Sequence, residues 1–506
     1  MKPLLFFILI FLSLYGTTQK VPNPVPFAKS ITAEDLKKHL FIVAGKEMEG
    51  RETATEGQRK AAAYIENHFN SLGLLAVNNN YQMLFPVYQD SVAKAVLEVN
   101  GKIFQPDKDF YVPASSSFSF TLMGSEVIFA GYGISDSTRD DYIGVNARGR
   151  IVLLFSGTPP PSGNDQRRPP PMNSIIDAAQ RNGAAAILLV QPGFPRRTSN
   201  IRGGQYMNMF RRSNGPNIFY ISEQIAQEIL GNDSNSVSQG LKTGKVIQKA
   251  YASNVKMEFN KTISQTNSSN VLAYIEGTDK KDEFVILTAH YDHLGKRGDT
   301  IVYYGADDDG SGTVSILELA EAFVKAKAAG KGPRRTVVFM TVSGEEKGLW
   351  GSAYYGDHPA FPLEKTTVNL NIDMIGRIDP KRKIGDSTNY VYVVGDDKLS
   401  TDLRPISVAM NKKYTKLELD YKYNDPKDKE RIYYRSDHYN FARKGVPIIF
   451  YFNGTHNDYH RPTDTPDKIN YGLMAKRAQL IFYTAWEMAN RNEMLKRDLQ
   501  LEVGIR

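Results

Sequence analysis

The chain has 506 residues, 41% of them apolar and 23% charged, which excludes a disordered polymer and leaves room for two or three domains. It has no cysteine, so neither a disulfide framework nor a lipid-bearing cysteine is available. The formal charge of +8 comes without any nucleic-acid motif, so no nucleic-acid partner is expected.

The first residues, "MKPLLFFILIFLSLYGTTQ", carry one early lysine, an apolar run to about Tyr15 and small residues after it. This pattern predicts a signal peptide over 1–18 and an exported protein, periplasmic or extracellular. No later stretch approaches the ~20 apolar residues of a membrane helix, so no stable membrane insertion is expected after cleavage. Next come two predicted helices. Thr32 with Asp35 starts the first, and Glu56 to Leu72 carries apolar residues at helical spacing. From about residue 110 the runs "EVIFAGYGI", "GRIVLLFSG" and "NSIIDAAQRNGAAAILLV" read as strand, strand, helix, strand. They suggest a smaller α/β unit over 110–255, with residues 19–109 and 256–506 outside it. Arg167, Arg168, Arg196, Arg197, Arg202, Arg211 and Arg212 cluster in its loops and read as solvated charge.

From about residue 270 strands and helices alternate. "DEFVILTAH", "RRTVVFMTV", "TTVNLNIDM" and "GVPIIFYF" are apolar strand-like runs; "SGTVSILELAEAFVKAKAAG" and "YGLMAKRAQLIFYTAWEMANR" are helical. The alternation predicts a mixed, mostly parallel sheet flanked by helices. Each strand ends in a polar cluster: His290 with Asp292, then Asp307, Asp308 and Asp309, then Glu345-Glu346, then Asp373, then His456, Tyr459, His460 and Asp464. Singly, such residues are turn or cap groups. Together they fall at the carboxyl ends of the strands, where open α/β sheets place their sites. Imidazoles and carboxylates without thiolates suit zinc or another divalent first-row metal.

"HYD", "GADDDGSG", "SGEEKGLWGS", "NIDMIG" and "YHRPTDT", in this order, resemble the M28 family of zinc peptidases over roughly residues 33–95 and 265–490. "FAGYGI", "DDYIGVNARGRIVLLFSG" and "AAQRNGAAAILLV" resemble, more weakly, a protease-associated domain inserted at 110–255. The M28 resemblance implies two Zn2+ per chain, held by His290, Asp308, Glu346, Asp373 and His460, with Asp308 bridging. It implies Glu345 as the general base acting on a metal-bridged water. It implies Asp292 and Asp464 as the carboxylates that orient the two histidines, and a cis peptide after Asp308. Tyr459, next to His460, is a candidate oxyanion group. The adjacent glutamates then divide the work, one on metal and one on protons. Asp308, Glu346 and Asp373 together with a hydroxide would balance the four charges of two dications.

The implied activity is hydrolysis of peptides at their N-terminus. The alternative is a carboxypeptidase or dipeptidase with the same metals, which Arg435 or Arg377 could serve by holding a carboxylate. Further alternatives are a one-zinc glutaminyl-cyclase-like transferase and an inactive binding protein. His438 and His456 are not assigned as ligands, and His39, His68 and His358 read as surface or structural. The sequence gives no reading of oligomeric state.

Overall fold

The computed structural model describes residues 21–115, 117–137, 139–160, 169–196, 201–208 and 215–501. The predicted signal peptide and Arg167, Arg168, Arg197, Arg211 and Arg212 lie outside the described residues. The chain forms two compact units, one of residues up to Phe85 and from Asn267 onward, the other Pro86–Thr266. The insertion is therefore wider at both ends than the expected 110–255. Two long strands, Gln82–Val99 and Lys249–Ile275, run through the boundaries. Their mixed burial patterns carry no stop signal where one unit gives way to the other.

The first unit begins with helix α1 (Ala33–Val43), whose N-cap Thr32 accepts a hydrogen bond from the Asp35 amide at 3.1 Å. This satisfies one of the donors that a helix start leaves open. Helix α2 spans Glu56–Ser71. The larger elements that frame the site follow in chain order: strand β1 (Lys249–Ile275), strand β2 (Lys280–His290), helix α3 (Gly312–Ala328), strands β3 (Arg335–Val342), β4 (Thr366–Ile372), β5 (Tyr390–Val394), β6 (Glu418–Asp420) and β7 (Ile448–Phe452), and helix α4 (Tyr471–Asn490). The sheet order is β6-β5-β7-β4-β2-β3-β1. β3, β2, β4 and β7 are mutually parallel; β1 and β5 join antiparallel to this core.

Residues of β3, β4 and β7 are buried throughout, because apolar clusters cover both sheet faces. That explains their unbroken apolar sequences. One cluster packs Phe323 of α3 against Phe482 and Trp486 of α4, with ring centroids 4.9 and 5.7 Å apart. Parallel register sets His290 beside Val342, so the β2 and β3 ends, and with them the His290 and Glu345-Glu346 loops, emerge together.

The second unit has its own parallel strands, Phe120–Phe129, Ile151–Phe155, Ala186–Val190 and Asn217–Ile221, in that order. Helices Met172–Arg181 and Glu223–Leu230 belong to it, and Phe129, Leu153, Leu188 and Phe219 lie in its core. No helix among the described residues is long and apolar enough to cross a membrane.

Candidate metal centre

All the expected site residues belong to the first unit, on the loops that leave the carboxyl ends of β2, β3, β4 and β7. Between β2 and α3 the turn Ala306–Ser311 carries the three aspartates, with a cis bond between Asp308 and Asp309. Gly305 precedes it at φ +56°; a Cβ there would lie 2.5 Å from the His293 ring and 2.3 Å from the Asp308 carbonyl oxygen. Only glycine fits that approach.

The three aspartates separate by what they face. Asp307 accepts the Gly376 amide at 2.6 Å, and Asp309 accepts the amides of Gly312, Met374 and His290 at 2.8, 3.0 and 3.2 Å. Asp308 turns inward. Its Oδ1 is 3.3 Å from His290 Nε2 and its Oδ2 is 3.1 Å from His460 Nε2. His290 Nε2 is also 3.7 Å from Asp373 Oδ1, and His460 Nε2 is 3.2 Å from Glu346 Oε2. One carboxylate thus stands between two imidazole–carboxylate pairs.

A third imidazole enters the cluster. His293 is fully buried; its Nδ1 is 2.8 Å from Glu346 Oε1 and 3.8 Å from Asp308 Oδ2. The sequence reading assigned it no role. The signal was a fourth residue appended to "HYD", making "HYDH". Both His293 ring nitrogens, Asp308 Oδ2 and Glu346 Oε1 are buried without a hydrogen-bond partner among the described residues. Buried polar groups left unsatisfied are costly. Several of them converging on one point, all potential ligands, fit divalent cations bound there.

The electrostatics have the same character. Burial disfavours the His290 cation, yet the carboxylates of Glu345 and Asp373 outweigh it and hold the imidazole well above its ordinary range. Burial likewise opposes His460, but Asp308 and Glu346 push it up to about 10. Burial raises Asp308, while the imidazoles of His290 and His460 facing its two oxygens prevail and lower it. Glu345 behaves differently: burial, with Glu346 and Asp373 nearby, raises it well above a normal glutamate. The cluster demands positive charge, and Glu345 holds a proton more readily than an ordinary glutamate.

The residues around the cluster fix its orientation. His290 Nδ1 is 3.0 Å from the main-chain oxygen of Asp292 and 3.7 Å from its carboxylate. That carboxylate accepts from Thr53 Oγ1 at 2.7 Å and from the Glu345 amide at 3.2 Å. Asp464 departs from its expected role of orienting His460. Its Oδ2 accepts the amides of Asp307 and Asp308 at 2.9 and 3.2 Å, and its Oδ1 lies 3.9 Å from His456 Nε2. The His460 ring is not among the groups it meets in the described structure. The reason is backbone geometry: the Asp307–Asp308 turn presents two amides that need an acceptor.

Several supporting residues had no motif to announce them. Ser436 Oγ donates to Asp373 Oδ2 at 2.6 Å and accepts from Asn371 Nδ2 at 2.8 Å. Arg51, fully buried, donates to the carbonyls of Tyr291, Val43, Tyr304 and Gly305 at 2.7–2.9 Å. It ties α1 to the two loops that carry His290 and Asp308. His438 is buried, with Nε2 2.8 Å from the Tyr433 carbonyl oxygen, and burial lowers it to about 3. His456, on the loop after β7, is buried with its Nε2 3.2 Å from Asp307 Oδ2.

A cavity opens beside the cluster, lined by Asp308, Glu345, Asp373, Arg435, Thr455 and Tyr459 together with apolar side chains. Arg435 donates to the Tyr459 hydroxyl at 3.1 Å, and the Tyr459 ring stacks on His460 with centroids 3.8 Å apart. Arg377 is instead engaged by Asp458 at 3.0 Å and faces Asp464 at 3.7 Å.

Residues 270–485 match the model of Peptidase family M28. A protein of Arthroderma otae named probable leucine aminopeptidase is 30% identical over 295 residues, which cover 56% of this chain and 72% of that protein. An aminopeptidase from Aneurinibacillus sp. strain AM-1 superposes with a TM-score of 0.54 at 19% identity, covering 95% of this chain and 100% of that one. A zinc aminopeptidase from Bacillus subtilis does so with a TM-score of 0.51 at 19% identity, covering 93% and 98%. These structural likenesses are in fold, and they repeat the mixed sheet flanked by helices. With the ordered motifs and this cluster at the ends of its parallel strands, the chain belongs to peptidase family M28.

Proposed function

We propose that this protein is a two-zinc aminopeptidase that hydrolyses peptides at their N-terminus. The observation that carries the reading is Asp308, whose two oxygens face different imidazoles, each paired with its own carboxylate. One ion would be held by His290, Asp308 and Asp373, the other by Asp308, Glu346 and His460, with His293 in reach of the second. Two ions so placed would supply Lewis acidity and lower the pKa of a water. Glu345 lines the cavity within 3.8 Å of His290 Nε2, and its raised proton affinity suits it to take a proton from the attacking water and return it to the leaving amine. Burial raises the Tyr459 phenol, which keeps its proton, and Arg435 donates to its oxygen. The phenol hydrogen is thereby free to donate to a developing oxyanion. The relatives' names support the aminopeptidase reading, and the apolar N-terminal run supports export.

Arg435 favours one second reading, a carboxypeptidase or dipeptidase that holds a peptide carboxylate in the cavity. Peptides with free or acetylated amino termini, and free or amidated carboxyl termini, separate the two. The aminopeptidase reading requires that acetylation abolish turnover and amidation be tolerated; the opposite pattern overturns it. Glu345→Gln should keep its metal and lose roughly 10²–10⁴-fold in kcat. A variant that turns over at the wild-type rate removes Glu345 from the mechanism.

A further inference from the structure

A second set of metal-type ligands lies in the helical layer of the same unit. His39 comes from α1, His68 from α2, and Glu318 and Glu321 from α3. His39 Nε2 is 3.6 Å from Glu318 Oε1 and 3.8 Å from Glu321 Oε1, and His68 Nε2 is 3.4 Å from Glu321 Oε1. The two imidazole rings meet edge to face with centroids 4.7 Å apart.

Glu318 is 1% exposed, and neither carboxylate oxygen has a hydrogen-bond partner among the described residues. His68 Nε2 is also buried without one. A buried carboxylate with both oxygens unsatisfied is costly, and Glu321 adds a like charge one helical turn away. Lys325 reaches only the other oxygen of Glu321, at 3.2 Å. The nitrogen–oxygen separations exceed the 2.7–3.2 Å of ordinary N–H···O hydrogen bonds. They approach the edges of a tetrahedron: bonds of about 2.0–2.1 Å place ligand atoms roughly 3.3–3.4 Å apart.

We propose that His39, His68 and Glu321, with the Glu318 carboxylate beside His39, bind a divalent first-row transition ion of the zinc class, at a site separate from the catalytic cluster. His39 Nδ1 lies 2.7 Å from the Tyr64 hydroxyl. The tautomer that donates from Nδ1 to Tyr64 leaves the Nε2 lone pair directed at the glutamates, as an outer partner does for a ligating histidine. His39 and His68 are each 14% exposed, so an ion has a path from solvent. The site joins three helices. One of them, α3, follows directly on the turn that carries Asp308, so the ion would brace the scaffold behind the catalytic loops.

Metal content is measured by mass spectrometry on the full chain after saturation with zinc and desalting. The His39→Ala/His68→Ala variant should hold one ion fewer than the wild type and still hydrolyse peptide. Equal counts overturn the proposal. The difference does not depend on how many ions the catalytic cluster keeps, so it stands or falls apart from the two-zinc reading. Should the double variant not fold, Asp308→Asn protein is titrated with Co2+. A four-coordinate d–d absorption that His68→Gln abolishes supports the site; no such band, or one that His68→Gln leaves intact, refutes it.

Discussion

Replacing Ser436 with alanine removes a hydroxyl that touches no substrate yet should weaken metal binding. In the native chain it donates to Asp373 Oδ2 at 2.6 Å and accepts from Asn371 Nδ2 at 2.8 Å. A hydrogen bond to a charged group is worth about 1.5–3 kcal/mol. At about 1.4 kcal/mol per tenfold this corresponds to roughly 10–150-fold. The range overlaps the roughly 10–100-fold losses that follow removal of a metal ligand's outer partner. The Asn371 amide is left facing the gap, which adds about 1–3 kcal/mol of lost fold stability. Competition with a zinc chelator should show the metal that Asp373 would hold bound about 10–100-fold more weakly, and thermal unfolding should show a lower midpoint. Metal held throughout with wild-type affinity would refute the assignment of Ser436 as the residue that positions Asp373.

Arg51→Met removes its hydrogen bonds to the carbonyls of Tyr291, Val43, Tyr304 and Gly305, of which Gly305 still accepts the Gly310 amide at 3.1 Å; at about 1–3 kcal/mol for each of the other three, the loss is a large part of the roughly 5–15 kcal/mol net stability of a domain. The variant should be insoluble or melt far below the wild type; a near-native midpoint sinks the idea that Arg51 clamps these loops. His438 has a depressed affinity for protons in the folded chain, about 3 against an ordinary 6.5. Below pH 6.5 the unfolded chain therefore binds the extra proton. This contribution is complete above pH 6.5 and shrinks as pH falls toward about 3. At about 1.36 kcal/mol per pH unit it should remove roughly 2 kcal/mol between pH 6.5 and 5. Urea unfolding of His438→Gln should lack that part of the loss, and identical losses would exclude His438 as its source. Chelation should abolish hydrolysis and added zinc restore it; full activity in excess chelator contradicts the metal assignment.

The parallel core was legible because its strands are buried on both faces and so read as apolar runs. Their polar ends stood out against those runs, which is why His290, Asp308, Glu346, Asp373 and His460 could be named from the residues and the family resemblance together. Arg51 could not be found this way. Its partners Tyr304 and Gly305 lie about 250 residues away, and an arginine in a polar stretch carries no periodic signal. Ser436 and Thr53 are single hydroxyls whose value lies in what approaches them. His293 directly follows the three quoted residues "HYD" and was given no role. Asp464 was read through its family position, whereas its contacts are set by two amides of the neighbouring turn. The edges of the second unit were misplaced because long strands cross them without a break in texture.

The inward-facing groups come from the tips of strands separated by up to about 160 residues of chain, β2 ending at His290 and β7 at Phe452. The cluster therefore exists only where the ends of β2, β3, β4 and β7 have been brought together, so turnover doubles as a gauge of that assembly.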